Sequence, residues 1–273
     1  MPERRSMAAS LLAIAVGLLF ALPFLWALSL SLRPPLQTFA VDGWGLPWID
    51  FAPRLDAWLR ELGDRRTQGA LLRSTWVSGA ATALALLLGL PAAWTLGRAR
   101  RRGLASAAIL GCLALRLFPP IAVMVPFWLF FLALGLLDTG AALVVVNATF
   151  LLPLAIIILR QAFVELPPEL EEAAAIDGAG PVAAFLRIVL PLVAPSIAGT
   201  ALVLFAFAWN DYLFASALFL MEADTVTLRI QQLGGPGPGG AARMLLAIAL
   251  PLGVALIAQR WLIRGLTLGA VKG

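Results

Sequence analysis

Few side chains in this sequence can do covalent or proton chemistry. Its 273 residues include no histidine, one cysteine (Cys112) and one lysine (Lys272). A histidine proton relay and a His-ligated metal site are therefore excluded. A Walker-type phosphate loop needs a lysine after an interior glycine-rich turn, and no interior lysine exists. Cys112 lies in an apolar run and reads as a small packed hydrophobe. What remains is polar chemistry in apolar surroundings. Arg116, Asn147, Asn210 and Asp211 fall inside long hydrophobic runs. Charges at membrane depth are costly and usually face a cavity or a partner, so these four are candidates for lining a polar path. Plainer readings stand beside that one. Asp211 can be interfacial or pair with an arginine, Arg116 can snorkel its head group to water, and Asn147 can bridge helices by a hydrogen bond. Aromatics such as Phe127, Trp128, Phe205 and Trp209 offer flat apolar faces, although at helical spacing such residues more often pack or face lipid.

The second concentration is acidic and suits docking rather than catalysis. Glu165–Pro191 reads ELPPELEEAAAIDGAGPVAAFLRIVLP, the only acidic cluster among the long apolar runs. Pro167 and Pro168 suit a helix start, since proline fixes φ and needs no donor in the first turn. Glu169, Glu171 and Glu172 then complement the positive end of the helix dipole. Ala173–Ala175 are the best helix formers. Asp177-Gly178 ends the run, with Gly178 suited to a left-handed conformation, and Gly180-Pro181 opens a second helix. Glu169, Glu172, Ala173 and Ile176 share one face by i, i+3, i+4, i+7 spacing. Small alanines rimmed by carboxylates suit close approach to a groove on another protein. The plainer alternative is a solvated connector.

The elements that must position these residues are hydrophobic spans. The chain is 61% hydrophobic and 13% charged, whereas roughly a quarter of residues in a soluble domain are charged. A span needs about 20 apolar residues. The pattern predicts spans over 7–32, 73–96, 104–137, 139–159, 192–221 and 244–263, the third broken by Pro119-Pro120 and Pro126. The net charge of +5 does not point to nucleic acid, because the arginines sit between spans. Arg98, Arg100, Arg101 and Arg102 mark a cytoplasmic loop by the positive-inside rule. Arg160, Arg264 and Lys272 agree with both termini on that side. Residues 33–72 read as an external segment with one amphipathic helix near 55–62, and 222–243 as an external loop. The expected division is 1–69 (first span and external segment), 70–263 (main transmembrane domain) and 264–273 (tail). The fold class is all-α and polytopic: six transmembrane helices with a cytoplasmic helix-turn-helix between spans 4 and 5.

Glu172-Ala173-Ala174, three residues, Gly178, nine residues, then Ile188-x-Leu190-Pro191 resembles the EAA signature of type I ABC importer permeases. Ile176-Asp177-Gly178-Ala179 resembles the carbohydrate-uptake branch, as does Trp209–Phe214. The tail, Arg264-Gly265-Leu266-Thr267 then Gly269–Gly273, is similar to the maltose-type second permease. The resemblance is strong from about Arg73 onward. It implies a transmembrane permease subunit of an ATP-driven, binding-protein-dependent importer for a sugar or polyol, in the bacterial inner membrane. It implies partners too: a second related permease, two ATPase subunits that bind ATP and Mg, and a periplasmic substrate-binding protein. The chain itself would hold no cofactor and make no bonds. Docking to the ATPase would fall to Glu169, Glu172, Ala173, Ala174, Ile176, Asp177 and Gly178, with Asn147, Asn210, Asp211 and Arg116 near the translocation path. Two alternatives remain: a type I permease for another small solute, and an ion-coupled transporter using Asp211. The particular solute is not readable from these residues.

Overall fold

The computed structural model describes residues 2–34, 45–99, 101–218, 225–233, 235 and 237–270, and no strands occur among them. Arg100, Lys272, Gly234 and part of the expected external segment, including Trp44, lie outside the described residues. Four helices are long and apolar enough to cross a membrane: α1 (Pro2–Ser31), α3 (Arg65–Gly97), α6 (Gly140–Glu165) and α13 (Pro238–Ala270). α2 (Asp56–Gly63) precedes α3 and is the amphipathic helix expected near 55–62. Two further apolar stretches are bent pairs. α4 (Arg102–Leu117) and α5 (Pro120–Ala133) meet at 88°, and the helical run over 181–192 meets α10 (Ala194–Trp209) at 75°.

Consecutive prolines explain the first bend. A residue before proline is pushed out of the α region. Phe118 precedes Pro119 and Pro119 precedes Pro120, and both are extended, with ψ of 126° and 122°. Pro126 was an equal candidate for a break by composition, yet it lies within α5. Pro91, Pro153 and Pro251 are likewise inside their helices.

Three expectations need correction. The span predicted over 192–221 stops at Trp209, and a short α11 (Leu213–Leu218) follows. A regular helix through Asp211 therefore does not form, because the Asp211 carboxylate starts a new helix instead. The loop predicted over 222–243 contains α12 (Val226–Leu233) and the first turn of α13. The Thr225 hydroxyl oxygen accepts the Leu228 N–H at 3.3 Å, a standard N-terminal cap that opposes the loop reading. Lastly, α3 begins eight residues before the expected Arg73, because Asp64 accepts the N–H groups of Arg66 and Thr67.

The chain forms two compact units. The first comprises 1–69 and 229–250, so it includes residues that the sequence pattern alone assigns to the longer domain. Within it, the Trp58 indole N–H donates to the Ser31 hydroxyl at 3.0 Å, and the Arg33 guanidinium lies over Trp26 and Phe51. Two ion pairs join the α2–α3 junction to the stretch from α12 into α13. Arg243 pairs with Glu61, both nearly buried, and Arg229 pairs with Asp64. The second unit comprises 70–228 and 251–273. α6 is its axis, packed against α4 and α10. One core cluster joins Ala85, Ala93, Ala155, Leu159, Phe163 and Leu204, and the other joins Phe131, Leu143, Val146, Phe214 and Leu218. Small residues let α3 approach α6 closely. A Cβ on Gly89 would meet that of Ala155 at 3.1 Å, and one on Gly97 would meet that of Phe163 at 3.2 Å.

Candidate functional site

The acidic segment folds as its residue types dictate. α6 ends at Glu165, Leu166 is extended before Pro167, and α7 runs over Glu169–Ile176 with all three carboxylates in its first turn. The Asp177 N–H donates back to Ala173 and the Ala179 N–H to Ala174. Gly178 has φ of +84°, a conformation that costs residues with a Cβ about 1 kcal/mol or more. α8 (Pro181–Ala184) opens with Pro181 at its first position and leads into a π-helical turn at Phe185–Val189 and then α9 (Leu190–Leu192). In that wide turn the Leu190 N–H reaches back five residues to the Phe185 carbonyl. Pro191 supplies the cause: it has no N–H to donate, and its ring would clash with the Arg187 carbonyl in a regular helix.

α7 has two different faces. Glu169, Glu172, Ala173 and Ile176 are exposed, Ile176 at 87%, and so are Asp177 and Gly178. Ala174 differs from the other candidates at this site: it is 5% exposed and packs within the subunit. Glu171 also turns inward. Its Oε1 accepts from Arg98 Nε at 2.7 Å and its Oε2 from Trp94 Nε1 at 3.3 Å. Sequence reasoning did not single out Trp94, gave Glu171 only a helix-dipole role, and took Arg98 only as a topology marker. A signal was available. Glu171 and Ala174 are three residues apart, on the side away from the Glu169–Ile176 stripe, and a carboxylate turned inward must find a partner.

The candidate residues inside the spans separate into one pair and two single positions. Asn147 on α6 donates from Nδ2 to Asp211 Oδ2 at 3.0 Å. Asp211 Oδ1 accepts the Phe214 N–H at 3.2 Å, and the Asp211 carbonyl accepts from the Thr227 hydroxyl at 2.7 Å. Asp211 thus sits in the gap between α10 and α11 and ties that gap to α6. Asn210 is apart from the pair: it is exposed, and its Nδ2 donates to the Ala206 carbonyl at 2.8 Å. Arg116 is exposed at the end of α4, with its guanidinium 5.3 Å from the centre of the Phe207 ring. Of the aromatics, Phe127 contacts the Phe131, Phe150 and Phe214 rings, and Phe205 stacks on Trp209 at 5.7 Å.

Among the described residues, the candidate positions pair no nucleophile with a base. They offer an exposed acidic helix at one place and a satisfied amide–carboxylate pair in a helix gap at another. Residues 85–268 match the family model described as binding-protein-dependent transport system inner membrane component. The trehalose transport system permease protein SugB of Mycobacterium tuberculosis is 37% identical, the match covering 92% of each chain. The trehalose/maltose transport system permease protein MalG of Thermococcus litoralis is 32% identical over 96% of this chain and 95% of that one. Among solved structures, a chain of a bacterial ABC transporter that imports the acidic polysaccharide alginate superposes with a TM-score of 0.77. It is 21% identical, with 94% of this chain and 96% of that chain covered, and shares the fold. With most of its length matched by the family model and by permeases of like size, the chain belongs to the family of binding-protein-dependent transport system inner membrane components.

Proposed function

We propose that this chain is a permease subunit of an ATP-driven importer for a sugar or polyol, and that α7 is where it docks its ATPase. The observation that carries the reading is the exposed face of α7: Glu169, Glu172, Ala173 and Ile176, with the Asp177-Gly178 turn beside it. A stripe of alanine and isoleucine flanked by carboxylates is left exposed among the described residues, and it suits a groove with a basic rim. The trehalose and maltose in the relatives' names support the solute class.

In this reading each bent pair counts as one span, giving six, with both termini and the Arg98–Arg102 loop in the cytoplasm. A second permease completes the membrane unit, two ATPase subunits bind ATP and Mg, and a periplasmic binding protein delivers the solute. ATP-driven closure of the ATPase pair moves α7 and swings the spans between two states. The subunit does no bond chemistry. The Asn147–Asp211 pair and, apart from it, Asn210 and Arg116 border the path.

The test is reconstitution of the complex with uptake of radiolabelled trehalose and maltose. Wild type should import at least one of them with ATP hydrolysis. Glu172→Lys should reach the membrane at normal levels, lose ATPase co-purification and lose uptake. Normal uptake and normal ATPase association in Glu172→Lys would remove α7 as the docking element.

A further inference from the structure

Arg98 lies where a topology-setting arginine would extend to water, and it does not. Its side chain is 21% exposed and points between three helices. Nε donates to Glu171 Oε1 on α7 at 2.7 Å, and Nη1 donates to the Leu166 carbonyl at the end of α6 at 3.0 Å. Nη2 is buried with no hydrogen-bond partner among the described residues, a cost that a head group free to reach solvent would avoid. Trp94, one turn earlier on α3, donates to the other oxygen of Glu171. Its ring lies 4.7 Å from that of Phe185, where the π turn begins. The end of α3 therefore holds both oxygens of one carboxylate on α7 and also contacts the start of the second cytoplasmic helix. Behind it, the Gly89 and Gly97 approaches make α3 and α6 a close pair.

From this geometry we propose that the Arg98–Glu171 pair is a positioning brace, through which displacement of α7 is passed to α3 and α6. The proposal rests on α7 being the ATPase-docking helix. The first-turn carboxylates then divide their work. Glu169 and Glu172 face outward, towards a partner, while Glu171 faces the chain's own membrane helices. Without the brace, α7 still presents its outer face, so docking and ATP hydrolysis persist. Its movement no longer draws α3 with it, and the hydrolysis is wasted.

The discriminating quantity is solute imported per ATP hydrolysed. It is measured in proteoliposomes holding the complete complex with its binding protein, using radiolabelled trehalose or maltose, whichever the wild type imports. Arg98→Ala and the milder Glu171→Gln should both keep ATPase co-purification. Both should lower the ratio about tenfold, the scale expected for loss of one charge-assisted hydrogen bond. Arg98→Lys should restore part of the ratio, since it keeps the charge but not the planar fork. Arg98→Glu combined with Glu171→Arg should exceed either single reversal, as expected for directly coupled residues. If Arg98→Ala fails to assemble, Glu171→Gln decides. A wild-type ratio in Glu171→Gln would overturn the brace, and so would loss of ATPase co-purification there, which would mean that Glu171 contacts the ATPase itself. A wild-type complex with no ATP-driven uptake would overturn the underlying reading instead.

Discussion

At Gly178 the conformation matters and the surrounding space does not. Its φ is +84°, and a Cβ built there meets nothing within 4 Å. Within the subunit a substitution therefore acts through the backbone, and more strongly for β-branched side chains. Gly178→Ala should cost about 1 kcal/mol locally, whereas Gly178→Val should also reorient α7. Valine should reduce uptake far more than alanine, with both variants at normal membrane levels by immunoblot. Equal uptake in the two would remove backbone geometry as the reason for glycine. Asp211 presents the opposite case, since its value lies in its side chain. It accepts from Asn147 and from the Phe214 N–H. Asp211→Asn keeps one acceptor oxygen, whereas Asp211→Ala keeps none. Thermal unfolding in detergent should show alanine the less stable by about 1 kcal/mol or more, the usual cost of losing a helix cap. If asparagine is stable and still impairs uptake, the charge borders the path. If asparagine transports normally, Asp211 is a helix cap and no more.

Among the elements, the predicted span over 192–221 shows what a hydropathy window overlooks. Asn210-Asp211 interrupts that run by only two residues, so the average stays high. Capping chemistry, however, makes an aspartate a strong site for starting a new helix. Thr225 caps α12 in the same way, in a stretch whose glycines and prolines give it the composition of a loop. The α7–turn–α8 segment was legible because its start, stop and turn residues all agree. The partnership of Glu171 with Arg98 was not, because 73 residues separate the two and no local rule spans that distance. The ion pairs of the first unit were hidden for the same reason. Arg243 and Glu61 are 9% and 11% exposed. Removing one partner leaves a buried charge uncompensated, at about 3–5 kcal/mol. Glu61→Ala should therefore lower the melting temperature clearly, and the double change with Arg243→Met should recover much of it. Asp64 adds a pH term. Burial raises its pKa, but hydrogen bonds from Thr67 and Arg229 outweigh that and bring it to about 2, from an ordinary value of 3.8. A depressed carboxylate stabilises the folded form above its unfolded pKa and loses that contribution as pH falls through the folded one. The protection factors of the Arg229–Leu233 amides, taken relative to the intrinsic exchange rate at each pH, should fall between about pH 4 and pH 2, modestly because Asp64 is partly exposed. Asp64→Asn should abolish that fall in protection.

Over the whole molecule, the hydrophobic census identified a polytopic helical protein, and arginine placement gave an orientation. A cysteine introduced at Gly237 should react with an impermeant maleimide added from the periplasm, and one at Arg101 should not, both in a Cys112→Ser background. Labelling of both from outside would end the six-span reading. Angles were beyond the reach of composition. Among the described residues Pro23, Pro91, Pro126, Pro153 and Pro251 lie inside helices, and the adjacent pair at 119–120 sets an 88° bend. The difference is that two successive residues each precede a proline.

The wide turn at Phe185–Val189 turns a motif into a statement about chain length. A π turn holds one residue more than the α-helix it interrupts, so the interval from Gly178 to Pro191 carries a surplus residue that Pro191 makes necessary. Deleting Ile188 alone should be deleterious, because Pro191 would then meet a carbonyl in regular helical register. Deleting Ile188 together with Pro191→Ala should be tolerated, with the flanking helices keeping their faces. A genetic screen for suppressors of the single deletion should therefore recover changes at Pro191. The spacing from Gly178 to Pro191 would then be inherited as a compensated insertion, in which neither the extra residue nor the proline can be lost without the other.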